Sequence, residues 1–577
     1  MRLLSLTLNG TYKGLTPQHF DFNELKGETT ALIGLNGSGK SQLLELIAEI
    51  FGWLERVSRR GFVVHESVMA CPFQIQWKIG GYTYQVEQID PVSIAVKTDN
   101  RALINELSQG RAEDNQDTVI CHSITPKPEW VESVYDQFTH AIALYRKDIE
   151  PLLSHLPRVI GYSSGLNENL QRGFLKNTVQ YFYEVDAKYK FQSLINRKIT
   201  KELSQEEIDK SYNWYLSRYE YIFSKKFIGL GTDRETYTIA LKNTPPPHSI
   251  YLDYDSMSLL IASLTILEEQ ELARILSKTS FSSFSKLTIE YDLHSYPYSE
   301  NDAITINRLL DIANPEQGIN DESQLENLSG TISFDFNKLG VKDSLRDWSV
   351  TGSLSFFNKL HAIQLLSIQS WDDSLKDKLM KDNFFGHVKK PLKSRSPISI
   401  RELKLTNGDG VEVDFDDLSD GESQLVQTLA AIKVFMSEST LFLFDEPETH
   451  LNPAWRTHYH RYLSKVLNQA ERQEQSHVFL STHSPFMISS LQREDVLLFE
   501  RDDNGVTHMK QIDSQTYGAS FDVLIKKHFG LQSLISQTVI EEIREQLKKG
   551  DAQALEWINE HLGMSPEKAH LVRKLSQ

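Results

Sequence analysis

The stretch Ala31–Ser41, ALIGLNGSGKS, decides the fold of this 577-residue chain. An apolar run enters a bend that contains three glycines, and a lysine and a serine lead out of it into a helical pattern, predicted from about Ser41 to Leu54. The segment Gly34–Ser41 fits the pattern GxxxxGK[ST] completely. With a buried strand before it and a helix after it, the bend is predicted to bind phosphate, the alternative being a glycine turn that binds nothing.

The chemistry of such a loop is specific. Small residues let consecutive backbone N–H groups converge on phosphate oxygens, and the N-terminus of the following helix adds positive charge. A lysine supplies a point charge for the β- and γ-phosphates, and the serine hydroxyl is placed for Mg²⁺. The predicted triphosphate-binding residues are Gly34, Asn36, Gly37, Ser38, Gly39, Lys40 and Ser41, with Lys40 also assigned to catalysis and Ser41 to the metal.

A second segment, LFLFDEPETHLNP from Leu441, reads as a buried strand that ends in two acids. Asp445 is predicted to bind the Mg²⁺ that Ser41 also binds. Glu446 emerges one residue later, where it can take a proton from an attacking water. Two adjacent acids can also simply cap a strand, but the whole string with Pro447 favours the site.

Two shorter segments complete the set. LSDGES at 418–423 precedes a helix with one apolar face, so its free N-terminal end is either a second anion site or an ordinary capped helix. VFLSTHSP at 478–485 is predicted to be a strand that delivers His483 to a loop. There His483 can hydrogen-bond the γ-phosphate as a catalytic residue, the alternative being an ordinary surface histidine.

In this order the segments resemble the ABC-type ATPase heads of the SMC and RecF-like class. The resemblance implies an α/β P-loop ATPase head, split by a mostly helical insertion, that binds ATP with Mg²⁺. It also implies that ATP is sandwiched between two heads, with Asn452 at the dimer interface. The residues acting in trans would be Ser419, Asp420, Gly421 and Glu422, although many members have glycine at the position of Asp420. Gln171 is a candidate for the glutamine that in this class usually follows the strand between the two halves, or it faces solvent.

The division of the chain follows from these segments. We expect lobe I of the head, with the phosphate loop and an antiparallel β subdomain, at 1–170. Lobe II is expected at 391–515 and contains the signature, which is Ser419–Glu422, together with the acidic strand and the histidine. Between them, 171–390 is predicted to be the mostly helical insertion. Residues 516–577 are predicted to form a helical tail.

Composition limits the remaining possibilities. The two cysteines show no CxxC spacing, so a disulfide framework and a zinc cluster are not expected. The apolar residues near the N-terminus alternate as in a strand, and the most apolar helical stretch is too short and too polar to span a bilayer. We therefore expect a cytoplasmic protein with no membrane partner. The net charge of −17 argues against a generally nucleic-acid-binding surface but not against a local basic groove.

Within the class, segments such as VIGYSSGLNENL and TYGASFDVLIKKHFG resemble the stand-alone ATPases of prokaryotic antiphage systems of the Septu type, whose relatives accompany retrons and restriction genes. That resemblance implies a separate HNH-type nuclease or retron components as partners. We expect no nuclease within this chain, because FERDDNGV at 499–506 has acids but lacks the arrangement of a Toprim module. Three functions stay open: a sensor and regulator of a defence complex, a RecF-type ATPase acting on DNA ends or gaps, and an ATP-held scaffold with little turnover.

Nucleic acid is a further candidate partner. A basic segment at 389–395 and the arginines at the end of the first helix can contact a DNA backbone, or they can be solvated. The arginines in question are Arg56, Arg59 and Arg60, and the residues of the basic segment are Lys389, Lys390, Lys393 and Arg395.

Overall fold

The structure is a computed structural model. It describes residues 1–59, 61–62, 72–90, 93–108, 118–122, 148–164, 168–199, 204, 206–207, 210–211, 214, 244–315, 322–380, 396–468, 476–531 and 535–576. Within them the fold is mixed α/β, with parallel and antiparallel sheets, as the sequence predicts.

The strands of the described residues form three sheets. In chain order they are β1 (Arg2–Leu8), β2 (Gln18–Asp21), β3 (Thr29–Gly34), β4 (Phe73–Ile79), β5 (Tyr82–Asp90), β6 (Ser93–Thr98), β7 (Thr118–His122), β8 (Arg158–Ser163), β9 (Ser249–Tyr251), β10 (Ser283–Asp292), β11 (Ser329–Asp335), β12 (Ile398–Thr406), β13 (Glu412–Asp414), β14 (Thr440–Asp445), β15 (Ser476–Ser481), β16 (Val496–Arg501) and β17 (Thr507–Gln511).

The helices of the same residues are, in chain order, α1 (Lys40–Ser58), α2 (Arg101–Leu107), α3 (Glu168–Ile199), α4 (Tyr254–Ser263), α5 (Glu269–Ile275), α6 (Glu300–Ala313), α7 (Val341–Trp348), α8 (Ser353–Gln364), α9 (Asp373–Met380), α10 (Asp420–Phe435), α11 (Pro453–Arg456), α12 (Tyr459–Leu467), α13 (Pro485–Ile488), α14 (Phe521–His528), α15 (Gln537–Leu547), α16 (Asp551–His561) and α17 (Pro566–Leu575). The first of them begins within one residue of the predicted start.

The central sheet has the order β17-β16-β3-β15-β14-β8-β9. Every pair in it is parallel except β16 with β17. Strands β3 and β14 are buried along their whole length, and each contains an unbroken apolar run, Ala31–Ile33 and Leu441–Phe444, as expected for strands covered on both faces. Because they are parallel, their carboxyl ends lie at one edge of the sheet, where ligands bind in open α/β folds.

An antiparallel sheet of order β2-β1-β4-β5-β6-β7 packs against α1. The predicted hairpin within 73–88 is present as β4 and β5, joined at Gly80 and Gly81, which both have positive φ. Trp77 of β4 packs edge-on against Phe51 of α1, with ring centroids 5.5 Å apart. This aromatic contact fixes the helix behind the phosphate loop.

The segment predicted as an insertion shares sheets with both predicted lobes. Strand β9 pairs with β8 in the central sheet. Strand β10 pairs with both β11 and β12, giving the third sheet the order β11-β10-β12-β13. The boundaries at 170/171 and 390/391 stay a prediction, and strand pairing crosses each of them.

Helices α1 and α3 are joined by a buried polar cluster. Asn177 accepts a hydrogen bond from Arg56 at 2.7 Å and donates to Glu55 at 2.7 Å. Arg59 bonds Glu55 and backbone carbonyls, and Arg56 and Arg59 are only 2% and 6% exposed. The suggestion that these two arginines contact DNA is therefore wrong, because their charges are used inside the fold. Arg60 and the segment 389–395 lie outside the described residues.

The chain divides into two compact units, Met1–Tyr517 and Gly518–Gln577. The second unit consists of α14 to α17. No helix among the described residues is long and apolar enough to cross a membrane. Cys121 is a free, buried cysteine.

Candidate nucleotide-binding site

The glycine-rich loop lies between the end of β3 and the start of α1. Its glycines have positive φ angles of 142° at Gly34, 76° at Gly37 and 110° at Gly39. A Cβ on Gly34 would lie 2.2 Å from the carbonyl oxygen of Phe499, so this position has no room for a side chain. The loop is therefore closely packed on β16 at one end and follows a path that favours glycine.

Lys40, the first residue of α1, turns its side chain back over the loop. Its Nζ donates to the carbonyl oxygens of Gly34 at 2.9 Å and Leu35 at 3.1 Å. Burial lowers the pKa of Lys40 to about 8, although Glu446 and Asp445 oppose that shift. A partly desolvated ammonium held by neutral carbonyls is well prepared to exchange them for phosphate oxygens.

Ser38 is a further polar group of the loop. It is 3% exposed, and its hydroxyl has no hydrogen-bond partner among the described residues. Most buried polar atoms have a hydrogen-bond partner, so this hydroxyl is available to bond a ligand or water. The loop thus holds an unused polar atom where the sequence predicts a phosphate.

Ser41 and Asp445 meet at the carboxyl edge of the central sheet. The hydroxyl of Ser41 donates to Oδ1 of Asp445 at 3.0 Å. The hydroxyl of Ser481 donates to the same oxygen, since Asp445 and Ser481 are paired residues of the parallel strands β14 and β15. Strand β15 lies between β3 and β14, and this order brings the remote acid to the phosphate loop.

The oxygens of Ser41 and Asp445 fit a Mg²⁺ ion. Mg²⁺ is usually held by one or two protein oxygens together with substrate phosphates and waters, not by a complete protein cage. Among the described residues no group of three or more His, Cys, Asp and Glu residues is arranged to hold a metal. The hydroxyl of Ser41 and the carboxylate of Asp445, already in contact, match the one or two protein oxygens that Mg²⁺ usually takes.

Glu446 follows Asp445 with a left-handed backbone, φ 52°, which is uncommon for a glutamate. Its N–H donates to the backbone oxygen of Ser481 at 3.2 Å, and this bond holds the turn. The side chain remains 44% exposed, and its Oε1 lies 3.5 Å from Nε2 of His483. Unusual backbone conformations of this kind concentrate at functional sites.

His483 lies in the turn after β15. Burial lowers the pKa of His483, and the nearby Lys40 charge lowers it further, while Glu446 and Asp445 act in the opposite direction. The imidazole is therefore biased toward its neutral form, in which one nitrogen donates and the other accepts. Lys40, Asp445, Glu446 and His483 thus influence one another at a single site.

The signature residues have local roles in the single chain. Ser419 caps α10, and its side chain and that of Glu422 bond each other's backbone N–H in a capping box. Ser419 and Asp420 are exposed, and a Cβ on Gly421 would lie 3.1 Å from the carbonyl oxygen of His450. Their action on a second copy stays a prediction.

Asn452 and Gln171 also have local partners. Asn452 is exposed and caps α11 by accepting from the N–H of Trp455 at 3.0 Å, so its place in a dimer interface stays a prediction. Gln171 is 5% exposed, and its Nε2 donates to Asp253 at 3.4 Å. The alternative of a solvent-facing glutamine is therefore wrong.

Sequence reasoning missed several side chains at this site. Ser481 and Thr482 lie in the quoted histidine segment, but small hydroxyl residues at a strand end carry little signal. Glu448 is buried two residues after Glu446 and accepts a hydrogen bond from Thr482. Lys13, which has φ 46°, bonds Glu45 of α1. Only the fold shows which side chains these residues contact.

A parallel strand, a glycine-rich loop and a helix, joined through Ser41 to the acid at the end of a neighbouring strand, define a P-loop nucleotide-binding fold. A protein-family model described as "AAA domain, putative AbiEii toxin, Type IV TA system" matches residues 253–489, less than half of the chain. That range includes the signature, the acidic strand and His483. Together with the geometry, this match supports an ATP-binding chain of the AAA type.

One curated relative is the protein ea59 of Escherichia phage lambda, which is 25% identical over 193 residues. The matched region covers 30% of this chain and 36% of the relative, so the chain spans about a third of the length of that protein.

Three solved SMC head structures are similar to the chain. The head from Thermotoga maritima is 10% identical with a TM-score of 0.29, covering 89% of this chain and 100% of that one. The head with an extended coiled coil from Pyrococcus furiosus, bound to the C-terminal domain of ScpA, is 12% identical with a TM-score of 0.30, covering 94% and 99%. The head with a coiled coil and joint from Pyrococcus yayanosii is 12% identical with a TM-score of 0.28, covering 92% and 100%.

Proposed function

We propose that this chain binds and hydrolyses ATP and acts as the sensor and regulator subunit of an antiphage defence complex. The observation that carries the ATPase part is the contact between Ser41 and Asp445, which joins the phosphate loop to the acidic strand end. Lys40 and Glu446 lie beside that contact, so a cation, an acid and a hydroxyl are available at one place.

Each side chain then has a separate role. The loop N–H groups and Lys40 bind the phosphates, and Ser41 and Asp445 hold Mg²⁺, which neutralises phosphate charge when bound. Glu446 accepts the proton of the attacking water, for which a half-exposed carboxylate at the strand end is suited. His483 donates a hydrogen bond to the γ-phosphate and lies against Glu446, so it can report whether that phosphate is present.

We further propose that two copies face each other with ATP between them. The signature residues Ser419 and Asp420 are exposed at the N-terminus of α10, where a second copy can approach them. That terminus carries the partial positive charge of a helix of 16 residues, which favours an anion. Asn452 is assigned to the same interface by the resemblance, and it is exposed four residues after the buried Glu448.

The defence role rests on different support. The family model that matches 253–489 carries the words toxin and Type IV TA system in its description. The sequence also resembles Septu-type ATPases, which work with separate effectors. We therefore propose that the ATP state of this chain controls a partner, either an HNH-type nuclease or retron components.

The ATPase proposal is tested with purified wild-type protein, Lys40→Ala and Glu446→Gln. Lys40→Ala is expected to lose ATP binding, and Glu446→Gln is expected to retain ATP while hydrolysis falls at least about 100-fold. Lys190→Ala is the matched control, because Lys190 is exposed on α3 and distant in sequence from the site. Unchanged hydrolysis in either site variant contradicts the assignment.

The defence proposal is tested by phage plating on cells that carry the gene with its natural neighbours. Protection is expected with wild type and with Lys190→Ala and is expected to be lost with Lys40→Ala. Full protection by Lys40→Ala, or none by wild type, contradicts the defence role. ATP hydrolysis stimulated by gapped DNA in the absence of protection would favour the RecF-type function instead.

A further inference from the structure

The turn that presents His483 depends on one buried hydroxyl. Thr482 is 0% exposed, and its N–H donates to the carbonyl oxygen of Leu32 in β3 at 3.0 Å. Its hydroxyl accepts a hydrogen bond from the N–H of Ser484 at 2.9 Å. These two bonds close the chain around His483, which lies between Thr482 and Ser484.

The same hydroxyl donates to Glu448. A threonine hydroxyl has one proton and two lone pairs, so the direction of its proton decides which way the lone pairs face. Because the proton is directed to Oε1 of Glu448, a lone pair is left for the N–H of Ser484. Without an acceptor at Glu448, the hydroxyl can rotate, and the bond that closes the turn weakens.

Glu448 is an unusual residue for a core. It is 4% exposed, its other oxygen, Oε2, has no partner among the described residues, and burial raises its pKa to about 7. The hydrogen bond from Thr482 and the charge of Arg456 lower that pKa, while Glu446 raises it. A buried carboxyl without a full set of partners costs stability, so stability gives no reason for a glutamate here.

The segment around Glu448 also contacts the signature helix. The N–H of His450 donates to Oε1 of Gln424 in α10 at 2.8 Å, and the N–H of Leu451 donates to the carbonyl oxygen of Glu448 at 3.1 Å. The short stretch 448–451 is therefore bonded on one side to the histidine turn and on the other to α10. Glu446, the proposed base, precedes this stretch by two residues.

We propose that Glu448 is a positioning residue: its carboxyl group orders the Thr482–Ser484 turn and thereby presents His483 to Glu446. The catalytic half of this inference rests on the proposed ATPase function. The structural half, the ordering of the turn, is independent of any activity. Glu448 touches neither phosphate nor metal in this account and acts through Thr482.

Hydrogen exchange tests the structural half. The variants Glu448→Ala and Thr482→Val remove the acceptor and the donor, and the controls Glu448→Gln and Thr482→Ser keep an acceptor oxygen and a hydroxyl. We expect exchange of the Ser484 amide to be faster by about tenfold or more in the first pair and close to wild type in the second. Thermal unfolding of each variant identifies any that fails to fold. If Glu448→Ala fails to fold, the comparison of Thr482→Val with Thr482→Ser tests the proposal instead. Equal protection in all variants overturns the proposal.

Steady-state hydrolysis tests the catalytic half. We expect Glu448→Ala to lower kcat about tenfold or more with KM for ATP within about twofold, and Glu448→Gln to retain most of kcat. In a His483→Ala background, Glu448→Ala is expected to cause no further loss, since its effect passes through His483. Fully additive losses overturn the proposal. Wild-type protein without hydrolysis would contradict the ATPase function, and the exchange experiment would still decide the role of Glu448 in the turn.

Discussion

The hydroxyl of Ser41 donates a hydrogen bond to Oδ1 of Asp445 at 3.0 Å, across 404 positions of the chain. The contact exists because β15 lies between β3 and β14 and all three strands run parallel. Ser481 bonds the same oxygen from the middle strand, so the carboxylate is held from two sides. The site therefore depends on the strand order of the central sheet as much as on any one motif.

The Mg²⁺ requirement should change when either member of this pair is altered. Ser41→Ala removes an oxygen assigned to the ion, and Asp445→Asn removes the negative charge of the carboxylate assigned to it. In each variant the Mg²⁺ concentration that half-saturates ATP binding should therefore rise by about tenfold or more. A fluorescent ATP analogue titrated over a Mg²⁺ series measures this. Binding without Mg²⁺ serves as the control and should change little. An unchanged Mg²⁺ dependence in both variants would place the ion elsewhere.

ATP affinity should decline at alkaline pH. Burial lowers the pKa of Lys40 to about 8 in the nucleotide-free protein, so Lys40 is charged below pH 8 and loses its proton as the pH rises through that value. Phosphate binds the charged form, and affinity should therefore be constant below pH 8 and fall by up to about tenfold per pH unit above it. Binding is measured between pH 7 and pH 9.5. Lys40→Ala should bind weakly with no such decline, and a decline of equal size in that variant would exclude Lys40 as its source.

Two glycines of the loop should differ in their tolerance of a side chain. Gly34→Ala places a Cβ 2.2 Å from the carbonyl oxygen of Phe499, so the loop and β16 must move apart. Gly37→Ala meets no atom within 4 Å, and its cost is the strain of φ 76°, about 1 kcal/mol. The unfolding temperature and the affinity for ATP should both fall severely in Gly34→Ala and only slightly in Gly37→Ala. Equal losses would show that the packing at Gly34 is not decisive.

The buried cluster between α1 and α3 should be important for stability. Asn177 is 0% exposed and bonds Arg56, Glu55 and the carbonyl oxygen of Gly52. Asn177→Ala leaves buried polar partners unsatisfied and should lower the free energy of unfolding by about 2–4 kcal/mol. Lys190→Ala, on the exposed side of α3, should change it by less than about 0.5 kcal/mol. Denaturant unfolding compares the two, and a tolerated Asn177→Ala would argue against the cluster as the link between these helices.

Contiguous features of this chain could be predicted from the sequence, and remote contacts could not. The phosphate loop, the hairpin at Gly80 and the start of α1 follow from local spacing and turn chemistry. The pairing of β9 with β8 has no local signal, because it depends on which strand is adjacent in the sheet. The sequence favours surface positions for Arg56 and Arg59 because charged side chains are usually exposed, whereas both are buried in the polar cluster between α1 and α3.

At the candidate site, too, the contiguous motifs could be predicted from the sequence and the contacts between remote residues could not. Gly34–Ser41, Asp445 and Glu446 belong to recognisable strings, and the structure brings them together. Glu448 and Thr482 are part of the same strings, but nothing in their spacing predicts that they bond each other. Residues assigned to action in trans, such as Ser419 and Asn452, have local helix-capping roles that the sequence also allows.

Every role proposed above requires that Gly34–Ser41 and Asp445 form one ATP and Mg²⁺ site. A structure of the Glu446→Gln protein with ATP and Mg²⁺, determined by crystallography or cryo-EM, tests it most directly. We expect triphosphate density along Gly34–Ser41 and a cation in contact with the Ser41 hydroxyl and the Asp445 carboxylate. Nucleotide bound elsewhere, or a cation that does not touch Asp445, would contradict it.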